Sequence, residues 1–85
     1  MAMLRIRDDV VYREVDGVIV AFSIDTGEYV ALDAVGTDIW RRIEQDGRVQ
    51  AIRRGMLADY DLDESTCIEE LARFVDMLRT RRLVT

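Results

Sequence analysis

Histidine is absent from this 85-residue chain. That removes Cys/His zinc sites, histidine-based triads and a histidine general base. Cysteine occurs once, at Cys67, so no internal disulfide can form, which suits a reducing cytoplasm. Lysine is missing too, and every basic residue is arginine. Codon usage in a GC-rich genome is the simpler source of that bias; the sharper one is bidentate recognition of carboxylates by guanidinium groups. No apolar run approaches the ~20 residues that cross a bilayer, which excludes a membrane-spanning role. The segment Met1 to Arg7 is too short and too charged for a signal peptide. The net charge of −5 disfavours simple binding to nucleic acid. The expectation is a cytoplasmic protein that engages neither membrane nor nucleic acid.

What is present is enough for a core. With 49% of residues apolar, the chain reads as one small domain over residues 1–85 and not as a disordered segment. Asp16-Gly17 separates Val10–Val15 from a second alternating run, Val18 to Ile24, and supplies the positive φ angles of a type I′ hairpin turn. Asp25-Thr26-Gly27 turns the chain again before Glu28 to Leu32. The product is an antiparallel meander with the second strand central and the third an open edge. If Phe22 lies opposite Val30, then Val18, Val20, Phe22, Ile24, Val30 and Leu32 share one apolar face, with Ile19, Ala21, Ser23, Tyr29 and Ala31 on the other. A shift of one residue turns the third strand over, and the sequence leaves both registers open.

From Asp33 the hydrophobic period changes from two to about 3.6. Asp33 is the expected N-cap of a helix whose stripe is Val35, Ile39 and Ile43, with Trp40 beside it as a core anchor and Gly47 as the stop. A second helix spans Val49 to Asp59 with Val49, Ile52, Met56 and Leu57, and Tyr60 near its end. Asp63 or Ser65 caps a third, reaching Arg81, with Ile68, Leu71, Val75 and Leu78 as its stripe. Cys67, Phe74 and Met77 lie to one side, and Leu83-Val84 is expected to fold back onto the core. Three strands followed by a three-helix bundle make an α+β domain of winged helix-turn-helix character.

No catalytic constellation stands out. Cys67 has no activating histidine and lies among Glu64, Glu69 and Glu70, which oppose a thiolate, so it reads as a half-buried packing residue. Asp59, Asp61, Asp63 and Glu64 resemble a calcium loop but lack the spaced glycine and terminal glutamate of an EF-hand; they read as a solvated turn with capping acids. Gly27 and Gly36 form no phosphate cradle. A DNA-reading third helix should be basic, yet residues 61–78 hold six acids against Arg73 alone. The expectation is no enzyme, no metal and no cofactor. An open strand edge can accept an extended peptide, and a neighbouring helix can supply side-chain pockets. The third helix carries more apolar surface than a small bundle needs, in Phe74, Met77 and Cys67 beside Leu71 and Leu78. Arg73, Arg79 and Arg81 are placed to meet acidic side chains.

The order of strand, Asp-Gly turn, strand, Thr-Gly turn, then Tyr29-Val30-Ala31-Leu32-Asp33, Val35-Gly36 and Ile39-Trp40 resembles the PqqD-like family. The likeness runs from about Asp8 to Val84, with Asp33 where asparagine is usual. It implies a RiPP recognition element: a domain that binds the leader of a ribosomally made precursor peptide and hands it to a modifying enzyme. Carried over by position, the leader adds as an antiparallel strand along Glu28, Tyr29, Val30, Ala31 and Leu32. The helical wall is then Cys67, Glu70, Leu71, Phe74, Val75, Met77 and Leu78, with Arg73 nearby. A domain of this size looks most like the stand-alone recognition protein of lasso-peptide pathways, whose partner is a cysteine-protease-like leader peptidase. The alternative is the peptide carrier of pyrroloquinoline quinone synthesis, which serves a radical iron–sulfur enzyme. Oligomeric state stays open, because an unpaired edge can also pair with its own copy.

Overall fold

The computed structural model describes residues 3–85. Its elements are β1 (Val10–Val15), β2 (Val18–Ser23), β3 (Glu28–Ala31), α1 (Ala34–Gln45), α2 (Val49–Asp59) and α3 (Glu64–Thr80). The strands form one antiparallel sheet in the order β1-β2-β3. The β1–β2 hairpin closes on Asp16 and Gly17, whose φ angles of 52° and 85° are those a type I′ turn demands.

Residues Ala21 and Val30 are paired, as are Phe22 and Tyr29. This is the alternative register, one residue from that which paired Phe22 with Val30. Ile19, Ala21 and Ser23 are buried against the helices, so Val18, Val20 and Phe22 face outward. The expected apolar face is thus divided: its β2 members lie on the solvent side of the sheet, while Val30 and Leu32 are on the inward side. The reason is visible in α1: Thr37 Oγ1 accepts the Ile19 N–H at 2.9 Å in a buried bond, locking the inward side of β2 to the helix. Val30 turns inward with Ala21, while Tyr29 lies outward against Phe22, ring centroids 4.6 Å apart.

Asp33 caps α1, its carboxylate accepting the Gly36 N–H at 2.7 Å. The inward face of α1 is Ile39, Trp40 and Ile43, whereas Val35, expected on that stripe, is 46% exposed in the first turn. The helix ends on an extended Asp46 and not on a left-handed glycine. Gly47 has a different task. Its carbonyl accepts the Leu4 N–H at 2.7 Å, and a Cβ there would collide with the Leu4 backbone. Trp40 is wholly buried, with Tyr12 packed edge-on at 5.1 Å. Tyr12 also donates its hydroxyl proton to Glu44, and that hydrogen bond raises the phenol pKa.

Arg42 links α1 to the end of α2, with Nε 3.0 Å from Asp38 and a terminal nitrogen 2.6 Å from Asp59. The Tyr60 hydroxyl donates to Asp38 at 2.8 Å. Asp63 caps α3 by accepting the Thr66 N–H at 2.7 Å, which lowers its pKa. So two members of the acidic turn have structural partners, and no group of three metal-ligating side chains occurs among the described residues. The inward face of α3 is centred on Cys67, Leu71, Val75 and Leu78. Cys67 is fully buried and Ile68 is 41% exposed, so Cys67, expected to be half-buried, takes the place of Ile68 on the inward stripe with Leu71, Val75 and Leu78.

Leu83 and Val84 are buried in the core, as their apolar character indicated. They are held by the N-terminal segment: Ile6 bridges Val84, and the Arg7 N–H donates to the Leu83 carbonyl at 3.1 Å. Leu4 is buried as well, adding a core residue that the helix and strand patterns did not indicate.

Candidate functional site at the open edge of the sheet

In the order β1-β2-β3, one edge of β3 has no strand beside it among the described residues. Which backbone groups point out of that edge follows from the ladder. The Leu32 N–H donates to the Ile19 carbonyl at 2.9 Å, which makes Leu32 and Ile19 a hydrogen-bonded pair. Antiparallel ladders alternate, so Val30 bonds toward Ala21 while Tyr29 and Ala31 send their N–H and C=O groups away from β2. An extended peptide laid along this edge meets donors and acceptors at alternate residues.

Helix α3 is tied to both ends of β3. At the far end, the Phe74 ring packs on Gly36, in the turn that follows β3; a Cβ on Gly36 would lie 2.8 Å from Phe74 Cε1. At the near end, Arg81 and Glu28 form an ion pair at 3.7 Å. Seven helical residues advance ~10 Å, and four extended residues ~13 Å, so the helix and strand run side by side over matching lengths. Met77 lies between Phe74 and Arg81 on the same side of the helix, and both Phe74 and Met77 are partly buried against the core. Arg82, with φ of 63°, reaches Asp25 at 2.9 Å and reinforces the near end. Val30 on β3 and Phe74 and Met77 on α3 are partly buried hydrophobics packed against the core.

The residues expected to form the site divide by exposure. Glu28, Tyr29 and Ala31 are exposed on β3, Val30 is half-buried and faces inward, and Leu32 is buried. On α3, Cys67, Leu71, Val75 and Leu78 are core residues, closed to a ligand. Phe74 and Met77 offer partly open apolar surface, while Glu70 and Arg73 are exposed and paired with each other at 3.2 Å. The Tyr29 side chain is on the outer face of the sheet, so only its backbone addresses the edge. Two participants lay outside the expected set. Gly36 had been read as forming no phosphate cradle and as part of the family pattern, but not as a contact of α3, and the signal that finds it is its place in the first turn of a helix directly after an edge strand. Arg81, one of three arginines considered for acidic partners, is committed to Glu28.

Three antiparallel strands followed by three helices, with β3 at the edge of the sheet, define a small α+β domain. Residues 19–84 match the family model described as coenzyme PQQ synthesis protein D (PqqD). The fold superimposes on TbiB1, solved in complex with the TbiA(beta) leader peptide, with a TM-score of 0.88 and 34% identity over 94% of this chain and 93% of that one. It also superimposes on a lasso peptide synthetase B1 complexed with a leader peptide, with a TM-score of 0.87 and 18% identity over 99% of both chains. No curated protein matches the chain. The chain belongs to the PqqD family, the RiPP recognition elements, which are non-catalytic peptide-binding domains.

Proposed function

We propose that this protein binds the leader segment of a ribosomally synthesised precursor peptide and presents it to a separate processing enzyme, a lasso-type leader peptidase. The observation that carries the reading is the open edge of β3, with Tyr29 and Ala31 directing backbone groups outward beside the Phe74–Met77 wall. The 34%-identical TbiB1, solved with a leader peptide, supports it. The leader adds as a fourth, antiparallel strand. Each backbone hydrogen bond contributes a net ~0.5–1.5 kcal/mol, and one apolar leader side chain buried on Phe74 and Met77 adds ~1.5–3 kcal/mol. Ordering a flexible leader offsets part of that gain, so the anchors decide the affinity. The chemistry belongs to the partner enzyme, at which tethering raises the precursor's effective concentration.

A ribosomally made ligand and a buried, unpaired Cys67 accord with a cytoplasmic setting, and no helix among the described residues is long and apolar enough to cross a membrane. The name of the matching family model favours the second reading, a peptide carrier for pyrroloquinoline quinone synthesis. The two differ in the peptide that binds: a leader encoded beside a transglutaminase-like protease, or one encoded beside a radical enzyme. DNA binding finds no support in α3, whose exposed Glu69, Glu70 and Asp76 would repel phosphate. The test is fluorescence polarisation with the labelled leader of the neighbouring precursor gene, using a scrambled leader as control. Saturable binding of the leader alone supports the proposal; a Kd weaker than about 100 μM, or equal binding of the scrambled peptide, refutes it.

A further inference from the structure

Helix α3 has a second apolar flank, turned toward α2. Ile68, Leu71 and Val75 line a groove of about 220 Å³ between the two helices, rimmed by Arg53 of α2 and by Asp76 and Arg79 of α3. A space of this size is below the ~300 Å³ that a drug-sized ligand takes, and it suits one large apolar side chain. By helical spacing the groove and the Phe74–Met77 surface lie on opposite flanks of α3, with the buried stripe of Cys67, Leu71, Val75 and Leu78 between them. An occupant of one leaves the other open. Among the described residues, the side chains of eight of the twelve arginines are in ion pairs. The other four are Arg13, Arg53, Arg54 and Arg79, and three of these stand at or beside the groove. Arg53 is half-buried and has no carboxylate partner; Asp76 shares its rim but pairs with neither Arg53 nor Arg79.

We propose that this groove holds the part of the precursor peptide downstream of the leader, through one large apolar side chain flanked by carboxylates. A leader antiparallel to β3 runs from Ala31 toward Glu28, and so leaves the sheet where Glu28 meets Arg81, at the C-terminal end of α3. Arg79 stands at that same end, on the other flank of the helix. About four extended residues cross the ~10 Å breadth of a helix, so the segment that follows the leader reaches the groove by turning over the end of α3. Charge selects the occupant. The chain carries −5 overall and repels acidic peptides except where unpaired arginines collect. A second copy fits poorly, because two grooves face to face would set Arg53, Arg54 and Arg79 against the same three arginines. Gripped on both flanks of α3, the junction between leader and downstream peptide is held extended over the helix end, where a processing enzyme can reach it. The second grip also tightens the whole precursor, since the first contact supplies a high effective concentration for it.

This inference rests on the leader-binding reading, and the experiment separates the two. The leader, the full precursor and the precursor without its leader, all from the neighbouring precursor gene, are labelled and titrated by fluorescence polarisation. The intact protein is compared with Arg53→Glu, Arg79→Glu and Ile68→Asn, each checked by thermal melting. Wild type is expected to bind the full precursor about tenfold or more tighter than the leader. Each variant removes that gain and leaves leader affinity unchanged, and changing the downstream acids of the precursor to amides removes it as well. Equal affinity of wild type for leader and full precursor overturns the proposal. So does a gain that survives in the folded variants or in the amide precursor. A wild-type dimer in sedimentation that Ile68→Asn dissolves overturns it too, because a second copy is then the occupant. If the leader does not bind but the leaderless precursor does, and needs Arg53 and Arg79, the groove stands and the leader-binding reading falls.

Discussion

Gly36→Ala tests the contact between α1 and Phe74, which flanks the proposed leader site. The added Cβ would lie 2.8 Å from Phe74 Cε1, 3.1 Å from Cζ and 3.2 Å from the capping carboxylate of Asp33. Something must move, and the outer end of a partly buried ring moves more cheaply than the backbone of a capped helix. Phe74 is displaced from Gly36, beside the edge where the proposed leader would lie. For stability, alanine in place of glycine within a helix gains ~0.5–1 kcal/mol. Loosening the bond from the Gly36 N–H to Asp33 costs about as much, since a cap is worth ~1 kcal/mol. The two nearly cancel, so the melting temperature should stay within about 5 °C of wild type. Leader binding has no such compensation. Losing half of an anchor worth ~1.5–3 kcal/mol raises Kd about four- to twelvefold. Phe74→Ala alone weakens binding by a similar factor, and in that background Gly36→Ala should add little, because the ring it displaces is gone. Melting by circular dichroism and polarisation titration on the four proteins complete the cycle. Wild-type affinity in Gly36→Ala, or full additivity with Phe74→Ala, refutes the assignment of Phe74 to the binding wall.

Ala31→Pro removes an outward edge N–H without touching the β2 ladder, so leader binding should drop at least tenfold while the melt stays cooperative; normal polarisation would rule out strand addition at this edge. Thr37→Val leaves the buried Ile19 N–H without its acceptor and should cost ~1–3 kcal/mol in urea unfolding, with a cost near zero showing that the bond does not hold the sheet on α1. Asp46 is held down to about 2 by hydrogen bonds from the Arg48 side chain and backbone, against an ordinary value of 3.8. Its stabilising contribution is present above about pH 4 and fades as pH falls through 2, so Asp46→Asn should flatten the acid limb of a stability–pH profile; an unchanged limb excludes Asp46 as its source.

Strand order, helix spans and the Asp33 cap were legible because each rests on local chemistry: Asp-Gly turns, a change of hydrophobic period, and a carboxylate before an apolar stripe. The face of the sheet was not. Val18, Val20, Phe22 and Ile24 are more apolar than Ile19, Ala21 and Ser23, yet the smaller set is buried, because close approach of α1 needs small side chains and the Thr37 bond. A sheet with two apolar sides carries no alternation signal to choose between them. The same limit hid Gly36, whose role depends on Phe74 arriving from 38 residues away. On α3, the apolar excess was readable, but Cys67, Leu71, Val75 and Leu78 went to the core and left Phe74 and Met77 partly exposed. How a surplus is divided is settled by the neighbouring elements, which no single helix specifies.

The interlock of Leu4 and Ile6 with Gly47 and Val84 has a consequence for how the protein is made. Leu83 and Val84 complete the floor of the core and reach their partners across almost the whole chain. While residue 84 is still inside the ribosomal tunnel, the hairpin and the first two helices can assemble, but the core under Trp40 stays open. A nascent chain therefore closes this core only once residues 83 and 84 have emerged to meet Ile6 and Arg7, so the fold is completed by two of its most distant segments.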